Sequence, residues 1–112
     1  MLKRLEYPIL YVTDMERSRD FYVDVLGCSV DEDLGDFAEL RLGDSRIALN
    51  TADDHEKRAG AQTILVSSTD LEADYARIAA RATINQTLTL TSYGKTFMFL
   101  DPDGNKIEVV DG

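Results

Sequence analysis

Positive charge is scarce in this chain. Twelve Lys and Arg stand against 21 Asp and Glu, which leaves a formal net charge of −9. With so little basic charge nothing could neutralise a phosphate backbone, so nucleic acid is not an expected partner. An acidic surface keeps a protein soluble, and it also steers cationic ligands toward it. Cysteine is nearly absent: Cys28 alone cannot close an intrachain disulfide. Without a signal peptide at the start, that points to a reducing, cytoplasmic setting. Cys28 has no adjacent His or Lys and follows the end of a predicted helix, so a buried, inert thiol is expected. Long apolar runs are also missing. The first is interrupted by Glu6 and stops at Thr13, and none approaches the roughly 20 residues that span a bilayer. No membrane partner is expected. Only two prolines occur. Pro8 has no amide donor and belongs at the start or edge of a strand. Pro102 fixes the first corner of a turn.

What is present suits one soluble domain of 112 residues, 44% hydrophobic and 29% charged. Tyr7 to Val12 reads as a strand. Thr13-Asp14-Met15-Glu16 has the spacing of a capping box, and Met15, Phe21, Tyr22, Val25 and Leu26 form an apolar stripe at helical spacing. A helix is therefore predicted from Asp14 to Leu26, with Gly27 as its left-handed terminator. Short strands follow at Cys28 to Asp31, Phe37 to Leu42 and Arg46 to Asn50, the last two joined through Gly43-Asp44-Ser45. Thr51 to Gly60 is polar and reads as an exposed linker.

After the linker the pattern starts again. Thr63 to Ser67 is a strand, Thr69-Asp70-Leu71-Glu72 is a second capping box, and a helix is predicted from Asp70 to Ala82. Thr87 to Leu90, Thr96 to Leu100 and Lys106 to Val110 are the closing strands, the last two flanking the turn Asp101-Pro102-Asp103-Gly104-Asn105. The two capping boxes start at Thr13 and Thr69, 56 residues apart (69 − 13). The chain is thus an α+β domain in which strand-helix-three-strands occurs twice: module one over residues 5–50, linker 51–60, module two 61–112. Each copy places its helix on one face of a four-stranded sheet and leaves the other face to be covered or used.

The order of these elements resembles the vicinal oxygen chelate superfamily, the glyoxalase, bleomycin-resistance and extradiol dioxygenase fold. The motifs that carry the resemblance are Tyr11-Val12-Thr13-Asp14-Met15-Glu16-Arg17-Ser18, Phe21-Tyr22 and Val25-Leu26-Gly27, then Tyr93-Gly94, Phe99-Leu100-Asp101-Pro102-Asp103-Gly104-Asn105 and Ile107-Glu108. The resemblance implies two tandem βαβββ modules in a curved mixed sheet and a homodimer, with the modules paired within a chain or, in a domain-swapped dimer, between chains. It also implies a divalent metal held by four side chains, one from the first and one from the last strand of each copy. Those positions here are Tyr7, Ala48, Thr63 and Glu108, with Gln62 one residue away from the third. Only Glu108 is a good donor, and the one histidine, His55, lies in the linker. No cofactor is expected, and a divalent metal is disfavoured; if one binds, Glu108 is its ligand.

Period-two alternation places Glu108 on one face with Lys106, Val110, Tyr7, Ile9, Tyr11, Arg46, Ala48, Asn50, Thr63, Leu65 and Ser67. The aliphatic residues Leu10, Val12, Ile47, Leu49, Ile64, Val66, Ile107 and Val109 turn toward the helices. A mixed face with tyrosines and a few polar groups suits a small-molecule cleft. The candidate ligand-binding residues are Tyr7, Ile9, Tyr11, Arg46, Asn50, Thr63, Leu65, Tyr93, Lys106 and Glu108, with Glu108 the one candidate catalytic group. Tyr93-Gly94 is expected at the rim, Phe97, Met98 and Phe99 in the core, and Glu108 either in the cleft or paired with Arg46 or Lys106. Two functions fit the resemblance. One is a metal-free protein that binds or sequesters a planar, cationic small molecule, as bleomycin-resistance members do. The alternative is a metal-dependent lyase, isomerase or dioxygenase with a non-standard ligand set.

Overall fold

The computed structural model describes residues 1–53 and 55–112; Asp54, in the run read as linker, lies outside the described residues. The chain divides into two compact units, Met1–Ala59 and Gly60–Gly112. Each has the order strand, helix, three strands.

Module one contains β1 (Ile9–Val12), α1 (Met15–Phe21), β2 (Ser29–Asp33), β3 (Phe37–Leu42) and β4 (Ser45–Thr51). Its sheet runs β1-β4-β3-β2. Strand β1 lies parallel to β4, and the other pairs are antiparallel. Parallel neighbours need a long crossover; here it is α1 followed by β2 and β3, and the Asp14 cap starts the helix. The Asp14 carboxylate accepts the Arg17 amide at 3.1 Å. Capping therefore falls to Asp14 rather than to Thr13, whose hydroxyl instead accepts from the Arg17 guanidinium. A carboxylate is at least as good a cap as a hydroxyl, and it also favours the positive end of the helix dipole.

The predicted helix changes character in its last turn. After Phe21 the chain widens into a π-helical turn over Tyr22–Leu26. The Tyr22 carbonyl accepts the amides of both Gly27 and Cys28. Gly27 closes the turn at φ 86°, a conformation that costs a residue with a Cβ. Tyr22 and Val25, three residues apart, share the turn's buried face with Ser18 of α1. Leu10, Val12, Leu40 and Leu49 complete this core. Each such side chain contributes about 1.5–3 kcal/mol on burial. Cys28 is buried, and burial pushes its thiol up to about 11, so it stays protonated and inert as expected.

Module two contains β5 (Thr63–Ser68), α2 (Leu71–Ala79), β6 (Thr83–Thr91), β7 (Gly94–Leu100) and β8 (Lys106–Asp111). Its sheet runs β5-β8-β7-β6, again with the first and last strands parallel. The Asp70 carboxylate caps α2 by accepting the Ala73 amide, once more one residue after the threonine. The helix ends three residues before the predicted Ala82, and β6 begins at Thr83 instead of Thr87. The long β-branched and polar run Thr83–Thr91 pairs with β7 from end to end, with register shifts on both sides of Gln86. Tertiary pairing thus extends a strand that looked short from propensity alone. Tyr75 packs edge-on against Phe97, 5.1 Å between ring centroids, which places Phe97, Phe99, Ile107 and Val109 on the helix side.

The turn between β7 and β8 is held by side chains. The Asp101 carboxylate accepts the amides of Asp103 and Asn105 and the Asn105 Nδ2, each at 2.9 Å. Asn105 is fully buried, and its Oδ1 accepts the Gln62 amide at the entry to β5. The Asp101 carboxylate is thus saturated by N–H donors. Gly60 comes so close that a Cβ there would lie 2.3 Å from the Asp103 carbonyl oxygen. The same device recurs beside it in the chain: the Asp53 carboxylate accepts the amides of His55 and Lys57, and these bonds lower its pKa.

Candidate functional site

In module two the open face is laid out in rows across the strands. Leu65, Glu108, Met98 and Gln86 are successive cross-strand partners and form the middle row. Thr63, Lys106 and Leu100 lie in the row below. Ser67, Val110 and Thr96 lie in the row above. Glu108 therefore shares a face with Thr63, Leu65 and Lys106, as period-two alternation requires. It stands half-buried between two apolar neighbours, Leu65 and Met98.

Glu108 takes its hydrogen bond from Tyr93. The β6–β7 hairpin turns tightly through Ser92 and Tyr93, with Thr91 paired to Gly94. The Tyr93 hydroxyl reaches the Glu108 Oε2 at 2.5 Å. That bond, then burial, then the carboxylate charge raise the Tyr93 pKa, so the proton stays on the phenol at neutral pH. Tyr93 as a whole is 57% exposed. The arrangement offers an aromatic surface beside a carboxylate with one oxygen engaged. Among the described residues, Lys106 makes no ion pair with Glu108, so that predicted pairing is replaced by Tyr93.

Met98 corrects an expectation. Phe97 and Phe99 are fully buried on the helix side, but Met98 alternates onto the open face beside Glu108 and accepts a weak bond from Asn85 Nδ2 at 3.3 Å. The run Phe97-Met98-Phe99 hid this alternation because all three residues are apolar.

In module one the candidates Ile9, Tyr11, Arg46 and Asn50 share one face: Ile9 pairs with Ala48 and Tyr11 with Asn50, and Arg46 lies two residues before Ala48. Tyr7 precedes β1 and packs on Phe37, 6.3 Å between centroids. Burial first, then Glu39, raise the Tyr7 pKa. Phe37 and Glu39 were not among the predicted site residues. The register supplies them, because β3 presents Phe37 opposite Asn50 and Glu39 opposite Ala48. Their pattern was available in the sequence, but β3 carried no candidate that drew attention to its open face.

The four positions that the family resemblance assigns to a metal do not suit one. Ala48 is fully buried and has no donor atom. Thr63 is directly opposite Lys106, whose ammonium opposes a cation on the same face. Tyr7 is a neutral phenol of raised pKa. Gln62 stays outside the β5 register, where its amide bonds Asn105 and its carbonyl accepts the Lys106 amide. Among the described residues, no three His, Cys, Asp or Glu side chains come together. Also among these, no helix is long and apolar enough to cross a membrane.

Solved structures share this fold over nearly the whole chain. A protein of unknown function from Agrobacterium tumefaciens is 27% identical with a TM-score of 0.83, covering 100% of this chain and 96% of its own. The bleomycin-binding protein of bleomycin-producing Streptomyces verticillus, solved with copper(II)-bleomycin, is 25% identical with a TM-score of 0.80, covering 100% and 99%. TnmS3, an antibiotic-binding protein from Streptomyces sp. CB03234, is 25% identical with a TM-score of 0.82, covering 98% and 96%. No curated protein matches the sequence. The family model for the Glyoxalase/Bleomycin resistance protein/Dioxygenase superfamily matches residues 4–109. The chain, matched over nearly its whole length, belongs to that superfamily.

Proposed function

We propose that this protein binds a planar small molecule that is cationic or rich in hydrogen-bond donors, and that it does so without a metal. The observation that carries the reading is the Tyr93–Glu108 pair on the open face of module two. A carboxylate flanked by Leu65 and Met98 attracts a positive or donating group more strongly than one in bulk water. The exposed Tyr93 ring supplies a surface for a planar ligand and for cation–π contact. The formal charge of −9 favours encounter with a cation. Two structural relatives at 25% identity bind antibiotics, which supports a small-molecule ligand. The remaining candidates, Thr63, Leu65 and Lys106 beside Glu108 and Tyr7, Ile9, Tyr11, Arg46 and Asn50 on module one, would shape the ligand face. The reading includes a homodimer, because the segment before the first strand exposes Met1, Leu2 and Leu5, and Tyr7, Ile9 and Tyr11 behind it are only half-buried, which suits an interface.

A melting screen tests both halves of the proposal. Planar organic cations should raise the melting temperature, and Glu108→Gln should abolish the shift without unfolding the protein. Zn²⁺, Ni²⁺ and Mn²⁺ should leave it unchanged. A metal-induced shift that Glu108→Gln removes would overturn the metal-free reading. Light scattering at micromolar concentration should give twice the monomer mass.

A further inference from the structure

A carboxylate has two oxygens, and at Glu108 the chain itself occupies one of them. The Tyr93 hydroxyl donates to Oε2 at 2.5 Å. Among the described residues, no side chain donates to Oε1. Leu65 and Met98, the cross-strand partners of Glu108, have no N–H to offer from their side chains. Donors along β6 are engaged elsewhere: Gln86 gives its Nε2 to Thr96 Oγ1, and Asn85 gives its Nδ2 to the Met98 sulfur, both at 3.3 Å. Lys106, two residues along β8, is exposed and, among the described residues, makes no ion pair. The phenol is also held in place from behind. Thr91 Oγ1 donates to the Gly94 carbonyl at 2.6 Å and accepts the Tyr93 amide at 3.3 Å, so the hairpin tip that carries Tyr93 is braced at its base.

We infer that Tyr93 decides which cations the Glu108 site accepts: it leaves one carboxylate oxygen for a single N–H donor, so the site selects an aromatic ring bearing an ammonium N–H over one bearing an amidinium or guanidinium group. The inference rests on the Glu108 reading above and narrows its ligand class. A planar fork gains its extra strength by setting two parallel N–H groups on the two oxygens of one carboxylate. Here the phenol oxygen stands against Oε2. A second prong would crowd the phenol and share an oxygen that already accepts a hydrogen bond. The fork then keeps only the one bond that an ammonium group makes equally well. A quaternary ammonium loses on the other count. It has no N–H for Oε1 and keeps only its charge and its contact with the Tyr93 ring.

Three probes with one benzene ring and one positive charge separate these cases: benzylammonium, protonated benzamidine and benzyltrimethylammonium. Each is titrated into the whole chain while nuclear magnetic resonance follows the methyl signals of Leu65 and Met98, in the wild type, Tyr93→Phe and Glu108→Gln. In the wild type benzylammonium should bind tightest, and benzyltrimethylammonium roughly tenfold more weakly. Tyr93→Phe keeps the ring and frees Oε2, so benzamidine should gain roughly tenfold relative to benzylammonium. A merely structural role for Tyr93 would move all three probes together and leave their ratios unchanged. Glu108→Gln should weaken all three. If the probes bind through Glu108 but Tyr93→Phe leaves the ratio of benzamidine to benzylammonium as it was, the inference is refuted and the proposed function stands. The same holds if benzamidine is already the tighter ligand of the wild type. If no probe moves Leu65 and Met98, or if Glu108→Gln titrates like the wild type, the Glu108 reading fails and the inference falls with it.

Discussion

The two modules share one framework and differ in how it is finished. Both cap the helix with an aspartate, Asp14 and Asp70, 56 residues apart (70 − 14). Both pair their first and last strands in parallel. Module one then ends α1 in a π-helical turn and joins β3 to β4 through a short turn at Gly43-Asp44. Module two ends α2 plainly but braces its last turn with the Asp101–Asn105–Gln62 network. Duplication therefore preserved the parts that set topology, namely cap, strand order and buried face. It left free the parts that set local rigidity and the chemistry of the open face.

The largest effect expected from this difference is at Asn105. Replacing it with Ala removes its bonds to the buried Asp101 carboxylate and to the half-buried Gln62 amide, and opens a gap where a fully buried side chain stood. Urea denaturation should show a loss of about 2–3 kcal/mol. Asp44→Ala in the matching turn of module one should stay within about 0.5 kcal/mol, because that residue is exposed. Equal losses would show that the two turns are held alike and break the contrast.

The helix caps come next. Asp14→Ala and Asp70→Ala should each cost about 1 kcal/mol. Asp70 should cost more, since its module adds a brace that the other lacks. Ser68 accepts the Asp70 amide and donates to Asp74 at 2.6 Å, whereas Val12 occupies the equivalent position in module one. Ser68→Ala should remove the difference between the two caps in the same denaturation experiment.

Much of this was legible in the sequence, and the reasons are local. The 56-residue repeat, both helices, Gly27 as terminator and the alternation of Leu10, Val12, Leu49, Ile107 and Val109 into the core follow from short-range pattern. Three features were not legible. The π-helical turn depends on one carbonyl accepting two amides, which no spacing of side chains announces. The strand Thr83–Thr91 is extended by its partner β7, a tertiary effect. The Tyr93–Glu108 pair joins two elements, a hairpin and the last strand, that nothing in the sequence links. Glu108 was readable as an acid in an apolar strand, but Glu39 sits in the unremarkable run Ala-Glu-Leu-Arg and becomes visible only through the register with Ala48.

The smallest effect distinguishes the two tyrosines by the cause of their shifts. Both phenols have pKa values raised above 10.0. A raised folded value means that the protonated phenol is the form stabilised by folding. That stability is fully present below about pH 10 and is lost as pH rises through the folded pKa. For Tyr93 the leading cause is the hydrogen bond to Glu108, and for Tyr7 it is burial, with Glu39 second. The two should therefore answer differently to neutralising the acid. Glu108→Gln should bring the Tyr93 titration back toward its ordinary value, while Glu39→Gln should move Tyr7 less. Phenolate absorbance followed with pH reads this directly, with Tyr93→Phe and Tyr7→Phe identifying each signal among the five tyrosines. An equal or larger shift at Tyr7 would mean that Glu39 holds its tyrosine as firmly as Glu108 does, and the two open faces would then be closer in kind than their geometry indicates.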